Sequence, residues 1–125
     1  MTHRIRITAG EIGLSAALNQ TDTAQALLAA LPLEAPANRW GAEIYFSIPV
    51  EREGAPDARA EMEVGELGYW PPGRAFCIFF GPTPASHGDE PRAASPVNPV
   101  GRVLDDPTRL EEVPDGAIVR IELAE

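Results

Sequence analysis

The stretch GELGYWPPGRAFCIFFGPTPAS, residues 65–86, holds five of the chain's eight aromatic residues: Tyr69, Trp70, Phe76, Phe79 and Phe80. Aromatic side chains at this density either fill a core or line a groove for a peptide or small metabolite. Phe76, Ile78 and Phe80 alternate, as the inward side chains of a barrel strand do, so the first reading for the phenylalanines is core. Tyr and Trp favour half-buried places with one edge left wet, and neighbouring prolines fix such a groove at low entropic cost. Tyr69 and Trp70 stand against Pro71-Pro72. The groove candidates are therefore Tyr45, Tyr69, Trp70, Phe76 and Phe80, with residues 82–97 on the rim.

Other chemistries are poorly served. His3, His87 and Cys77 lie far apart, so no metal site is expected. Ser86-His87-Gly88-Asp89 contains the residue types of a hydrolase triad, but as neighbours in a polar loop rather than as groups that converge. No glycine-rich phosphate fingerprint is present. Cys77, between Phe76 and Ile78, reads as a small buried hydrophobe. Glu43 and Glu66 are the carboxyls that could act as acid or base, and both read first as surface groups. No catalytic residue and no cofactor is expected.

These residues need elements to position them. In HRIRIT, Ile5 and Ile7 alternate with Arg4 and Arg6, and Ile12, Leu14, Ala16 and Leu18 continue the period of two, which predicts a hairpin over 4–18 turning at Ala9-Gly10. Ala24, Leu27, Leu28 and Leu31 then fall on one helical face, with Asp22 as cap and Pro32 as stop. After a proline-containing loop, Ile44, Phe46 and Ile48 face one way, and Glu43, Tyr45 and Ser47 the other. Residues 51–59 form an acidic turn region. A strand holds Met62 and Val64, broken or bulged at Gly65. Leu67–Trp70 and Ala75–Phe80 pair across Pro71-Pro72-Gly73-Arg74, since two prolines cannot donate to a ladder. Residues 81–97 read as an irregular loop and Val100–Val103 as a strand. Asp106-Pro107 opens a helical turn, and Ala117–Leu123 closes the chain. The sum is mainly β, a closed eight-stranded barrel with one α-helix and one short helical turn, in a single domain over 1–125.

Composition narrows the partners. The chain has 125 residues, a net charge of −9 and ten basic residues, all arginine. An acidic surface without a basic cluster argues against nucleic acid and anionic membranes. One cysteine excludes an internal disulfide, no signal-like apolar run opens the sequence, and Asn19–Asp22 interrupt the apolar residues of 14–33. A cytoplasmic protein is expected.

Trp40-Gly41-x-Glu43-Ile44-Tyr45-Phe46, Tyr69-Trp70-Pro71-Pro72-Gly73, Phe76-Cys77-Ile78-Phe79-Phe80-Gly81-Pro82-Thr83-Pro84 and Ser95-Pro96-Val97-Asn98-x-Val100-Gly101 together resemble the short prokaryotic cyclophilin-like family, over about residues 4–123. The resemblance implies a minimal cyclophilin-type barrel of uncharacterised function. In true cyclophilins an arginine polarises the prolyl amide and lowers a rotation barrier of roughly 20 kcal/mol. If Ile48-Pro49 matches the isoleucine-proline after that arginine, its position is Phe46 here. The histidine position falls near Val97, and no glutamine follows Gln25. Arg39 and Arg74 are the remaining arginines that could reach the groove. The expectation is a non-catalytic binding module for a peptide or small metabolite. The alternatives are a weak prolyl isomerase, an accessory component of an amide-hydrolysing or carboxylating system, or a homo-oligomer joined through the same apolar patch.

Overall fold

A computed structural model describes residues 3–124. Its first feature follows from the alternation of the leading residues. β1 (His3–Ala9) and β2 (Ile12–Leu18) pair antiparallel with Ile7 opposite Leu14 and Ile5 opposite Ala16. The turn is Gly10-Glu11, one residue later than expected, because Gly10 takes φ +59, which a glycine adopts without strain. β10 (Ile118–Leu123) lies along the other side of β1, Ile121 opposite Ile7. The buried residues of these strands, Ile5, Ile7, Leu14, Leu18, Val119 and Ile121, share one core.

The helix α1 (Asp22–Ala30) is capped by Thr21 rather than Asp22. The Thr21 hydroxyl accepts the Ala24 N–H at 3.2 Å, and Asn19 Oδ1 in turn accepts the Thr21 hydroxyl and N–H. Gln25 reaches back to the Gln20 carbonyl at 3.0 Å. Ala24 and Leu27 are buried in the main core, so the helix covers one end of it.

The expected proline-containing loop before Trp40 contains two short strands, β3 (Leu33–Pro36) and β4 (Asn38–Arg39), and β5 (Glu43–Ser47) follows. β6 (Arg59–Glu61) ends before Met62, so Val64 lies outside it, 47% exposed. β7 (Glu66–Trp70) and β8 (Ala75–Phe79) pair across a 3-10 turn, Pro71–Gly73. The expected loop up to residue 97 is strand from Arg92 onward: β9 (Arg92–Val103) runs for 12 residues. A second 3-10 turn, Pro107–Glu112, is capped by the Asp106 side chain.

The prolines hid β9. Pro99 stands opposite Gly68, where the register with β7 slips, and bulges are where a strand tolerates a residue without an N–H. Pro96 is exposed, in the stretch that pairs irregularly with β6.

The fold is mainly β. The hydrogen-bonded order is β3-β10-β1-β2-β9-β7-β8-β5-β4, with β6 on β9. Among the described residues ten strands replace the expected eight, and no ladder joins β3 to β4 at the two ends of that order, so hydrogen bonding does not close the sheet. The two end strands are consecutive in the chain, separated by Ala37 alone.

β7 and β8 are buried on both faces. On one face Leu67, Tyr69, Phe76 and Ile78 join the main core. On the other, Met62, Ala75, Cys77, Phe79, Ala93 and Val97 form a second apolar cluster. Two buried polar side chains tie the segment after β5 to the sheet. The Tyr69 hydroxyl donates to the Val50 carbonyl at 2.6 Å and accepts the Arg52 N–H at 3.1 Å. Asn98 accepts the Ala55 N–H at 2.8 Å and donates to Thr23 Oγ1 and the Glu53 carbonyl, both at 3.0 Å. Tyr69→Phe strands both Val50 and Arg52 and is expected to cost about 1–2 kcal/mol in urea unfolding. An unchanged midpoint would mean that water replaces the hydroxyl at no loss.

Candidate functional site

Strand parity sets up the site. Tyr45 stands opposite Cys77 and Glu43 opposite Phe79, so these four point away from the main core that Ile44, Phe46 and Ile78 enter. That face carries the second cluster, with Tyr45 and Trp70 half-buried at its margin. There a pocket of about 250 Å³ opens, lined by Trp40, Glu43, Tyr45, Trp70, Ala93 and Ala94.

The walls are held from behind. Gly41 turns the chain at φ +62 so tightly that a Cβ there would stand 2.9 Å from the Thr83 Cα. The turn is tied by the Trp40 N–H to the Glu43 carbonyl at 3.0 Å and the Ala42 N–H to the Pro82 carbonyl at 2.9 Å. Trp70 Nε1 donates to Ser95 Oγ at 2.7 Å. Gly73 lies against the Trp70 ring, where a Cβ would come within 2.7 Å of Cε3. Glycine at 73 thus leaves room for the indole.

Glu43 is 5% exposed. Among the described residues no arginine, histidine or backbone N–H reaches its carboxylate. Burial pushes its pKa up to about 7, and the Cys77 thiol beside it, a weak donor, offsets little of that. Burial, with the Glu43 charge adding to it, raises Cys77 well above an ordinary thiol, so the sulfur stays protonated and inert. An anion with no more than a thiol for a donor, in an apolar, aromatic pocket, either holds a proton or takes up a cation.

Of the residues expected to face a groove, the structure brings Tyr45 and Trp70 into this pocket. Tyr69, Phe76 and Phe80 are in the main core. Adjacent strand residues face opposite sides, so Tyr69 and Trp70 cannot both line one groove. Phe76 stacks on Phe46 with centroids 5.7 Å apart, and Phe80 lies under the Arg39 guanidinium at 5.1 Å. Trp40 was missed as a groove residue, and Glu43, weighed as an acid or base, was read as a surface carboxyl. The signal for Glu43 was available, since it shares Tyr45's parity.

Both carboxyls read as surface groups are buried. Glu66 accepts Arg59 through two oxygens at 2.8 and 2.6 Å and the Glu63 N–H at 2.8 Å. Burial raises its pKa, but the Arg59 hydrogen bonds, the Glu63 N–H and the Arg59 and Arg102 charges outweigh it and leave the value lowered. Glu66 is a structural anion. Ser86–Asp89 is a turn gathered on Glu90, whose carboxylate accepts the His87 and Gly88 N–H groups, both at 2.8 Å, while Ser86 Oγ donates to the Glu90 carbonyl. His87 and Asp89 are exposed, so no triad forms. Among the described residues no cluster of metal ligands occurs.

Phe46 is 1% exposed and Val97 fully buried, so both positions inferred for isomerase groups carry apolar core side chains. The Arg39 guanidinium is committed to the Gly41 and Val113 carbonyls at 3.1 and 2.7 Å. Arg74 is exposed and faces Glu51 at 3.6 Å, beside an open depression between α1 and residues 51–56.

Comparison with known protein families matches residues 3–122 to the family described as cyclophilin-like. The chain belongs to that family. Among solved structures it is similar to a hypothetical protein of Archaeoglobus fulgidus, known from a solution structure, at 38% identity and a TM-score of 0.82, over 98% of this chain and 95% of that one. Among curated proteins no match is found. No helix among the described residues is long and apolar enough to cross a membrane.

Proposed function

We propose that this cyclophilin-like chain is a non-catalytic binding protein, and that its ligand occupies the pocket of Trp40, Glu43, Tyr45 and Trp70. The observation that carries the reading is a small aromatic pocket with one buried polar group, while apolar side chains fill the positions inferred for isomerase catalysis. A pocket of about 250 Å³ falls just below the roughly 300–1,000 Å³ of drug-sized sites, so it suits a small molecule or a single side chain of a peptide. The lone buried cysteine fits a cytoplasmic protein, and the charge of −9 fits one that avoids nucleic acid and anionic membranes.

Both tryptophans of the chain line this pocket, so intrinsic fluorescence reports it without a label. Saturable quenching by a ligand, lost in Trp70→Ala, together with no acceleration in a protease-coupled prolyl isomerisation assay, is the expected result. Isomerisation that disappears in Trp70→Ala would overturn the reading in favour of an enzyme. Light scattering with and without ligand separates pocket binding from self-association through the same face.

A further inference from the structure

Resting on the assignment of this pocket as a ligand site, we propose that its ligand carries a small alkylated ammonium head, seated against Trp40, Tyr45 and Trp70 with its charge opposite the Glu43 carboxylate.

Charge is the first argument. Glu43 is buried, lines the pocket, and has no ion-pair or backbone donor among the described residues. The nearest arginine in sequence, Arg39, is spent on the Phe80 face and on main-chain carbonyls. A carboxylate in this setting lacks only a cation, and an incoming anion would meet repulsion with no compensating donor.

The walls point the same way. Three electron-rich rings around one small space attract a positive charge through their quadrupoles, Trp most strongly. An uncharged apolar ligand would gain from the rings but would leave the carboxyl unpartnered.

The scarcity of acceptors distinguishes the kind of cation. A primary ammonium has three N–H groups to satisfy. The pocket side chains offer the Glu43 carboxylate and the Tyr45 hydroxyl, and Trp70 Nε1, a donor, is already used by Ser95. An ammonium whose hydrogens are replaced by methyl groups needs no acceptors, buries apolar surface against the rings and the Ala93 and Ala94 side of the pocket, and keeps its charge. The volume fits a head group of a few heavy atoms.

Protons compete with this cation. From the elements packed around the pocket, the ionisable groups beside Glu43 are Cys77 on β8 and Tyr45 on β5, while Trp40, Trp70, Ala93 and Ala94 carry no charge. Cys77 remains a neutral thiol. With Glu43 titrating at about 7, the carboxylate is mostly ionised at pH 8 and mostly neutral at pH 6. Affinity for a cation therefore weakens about tenfold from pH 8 to pH 6 and levels off above pH 8.

The test is fluorescence titration of the whole chain with choline and with its uncharged isostere 3,3-dimethylbutan-1-ol, at pH 6 and pH 8. Choline is expected to bind at least about tenfold tighter than the isostere at pH 8, with this preference largely lost at pH 6 and in Glu43→Gln. Butylammonium is expected to bind more weakly than tetramethylammonium. A peptide bearing trimethyllysine, titrated beside choline, assigns the head to a peptide or to a free metabolite by which binds tighter. Equal binding of choline and the isostere at pH 8 would overturn the cation and leave the pocket standing as a ligand site. No quenching by either would overturn both. Glu43→Gln that keeps the full choline preference, with a folded far-ultraviolet spectrum, would remove Glu43 from the site.

Discussion

Glu43→Gln is expected to make the folded chain more stable than the parent at pH 8, by roughly 3 kcal/mol, and to leave it nearly unchanged at pH 4. The carboxyl has an ordinary value of 4.5 when the chain is unfolded and about 7 when it is folded. Below pH 4.5 both states are protonated and nothing is lost. Between 4.5 and 7 the unfolded chain gives up a proton that the folded chain retains. Unfolding then releases a proton, so stability falls as pH rises through that window and stays lowered above it. Glutamine has no proton to release and is nearly isosteric with the neutral acid, so it lacks the decline. Every other titration is common to both proteins and cancels in the difference. Urea unfolding of the pair at pH 4, 6 and 8 measures it. A parent more stable than the variant at pH 8 would show that a donor holds the carboxylate in its ionised form. The sign matters for function, because a pocket that costs stability when empty and charged is stabilised by whatever neutralises it.

Gly101→Ala is expected to be the most damaging single-methyl change in the chain. A Cβ at this position would lie 2.0 Å from the Ala17 carbonyl oxygen and 3.0 Å from the Leu18 Cα. Both are backbone atoms of β2, which pairs with β9 with Leu18 opposite Gly101. No side-chain rotamer relieves the overlap, so the β2–β9 ladder must part. That ladder joins the β10-β1-β2 side of the sheet to the β7-β8-β5 side. The expected loss is at least about 3–4 kcal/mol, a large fraction of the roughly 5–15 kcal/mol that holds an ordinary domain together. Gly54→Ala is the control. Nothing lies within 4 Å of its Cβ position, and it is expected to stay within about 0.5 kcal/mol of the parent. Thermal unfolding of the two variants side by side checks the contrast, and comparable midpoints would contradict the close approach of β2 and β9.

How much of this could be read in the sequence depends on the range of the interaction involved. The leading hairpin, the helix and its stop at Pro32, the β7–β8 pair and the Asp106 cap are written in local periodicity and turn chemistry, and those expectations hold. The family was legible from Tyr69-Trp70-Pro71-Pro72-Gly73 and Phe79-Phe80-Gly81-Pro82-Thr83-Pro84, and it was found. Alternation also divided β5 rightly, Ile44 and Phe46 against Glu43 and Tyr45. It gave no warning that the second side of β5 would be covered. Met62, just past β6, and Ala93 and Val97 of β9 pack on that side, and the β6–β9 pairing joins Arg59 to Val97 with β7 and β8 lying between them in the chain. For that reason Glu43 read as a surface carboxyl. Proline density concealed β9, since only the structure shows Pro99 at a register slip.

The groove was half legible. Trp70 and Tyr45 were named from their residue types and neighbours. Tyr69 was named with them because a local reading treated the Tyr-Trp pair as one feature, although strand geometry sends the two rings to opposite faces. Trp40 was read only as part of the family motif Trp40-Gly41-x-Glu43, not as a groove residue. It reaches the pocket through the Gly41 turn, which rests against Pro82 and Thr83, a contact between segments about forty residues apart.

Glu43 is a buried carboxyl, proposed to take up a positive charge. The ¹³C chemical shift of its side-chain carboxyl, followed by NMR from pH 4 to pH 9 with and without choline, measures that directly. The prediction is a midpoint of about 7 in the empty pocket, moving to lower pH as choline is added. A midpoint near 4.5 that choline leaves in place would contradict it.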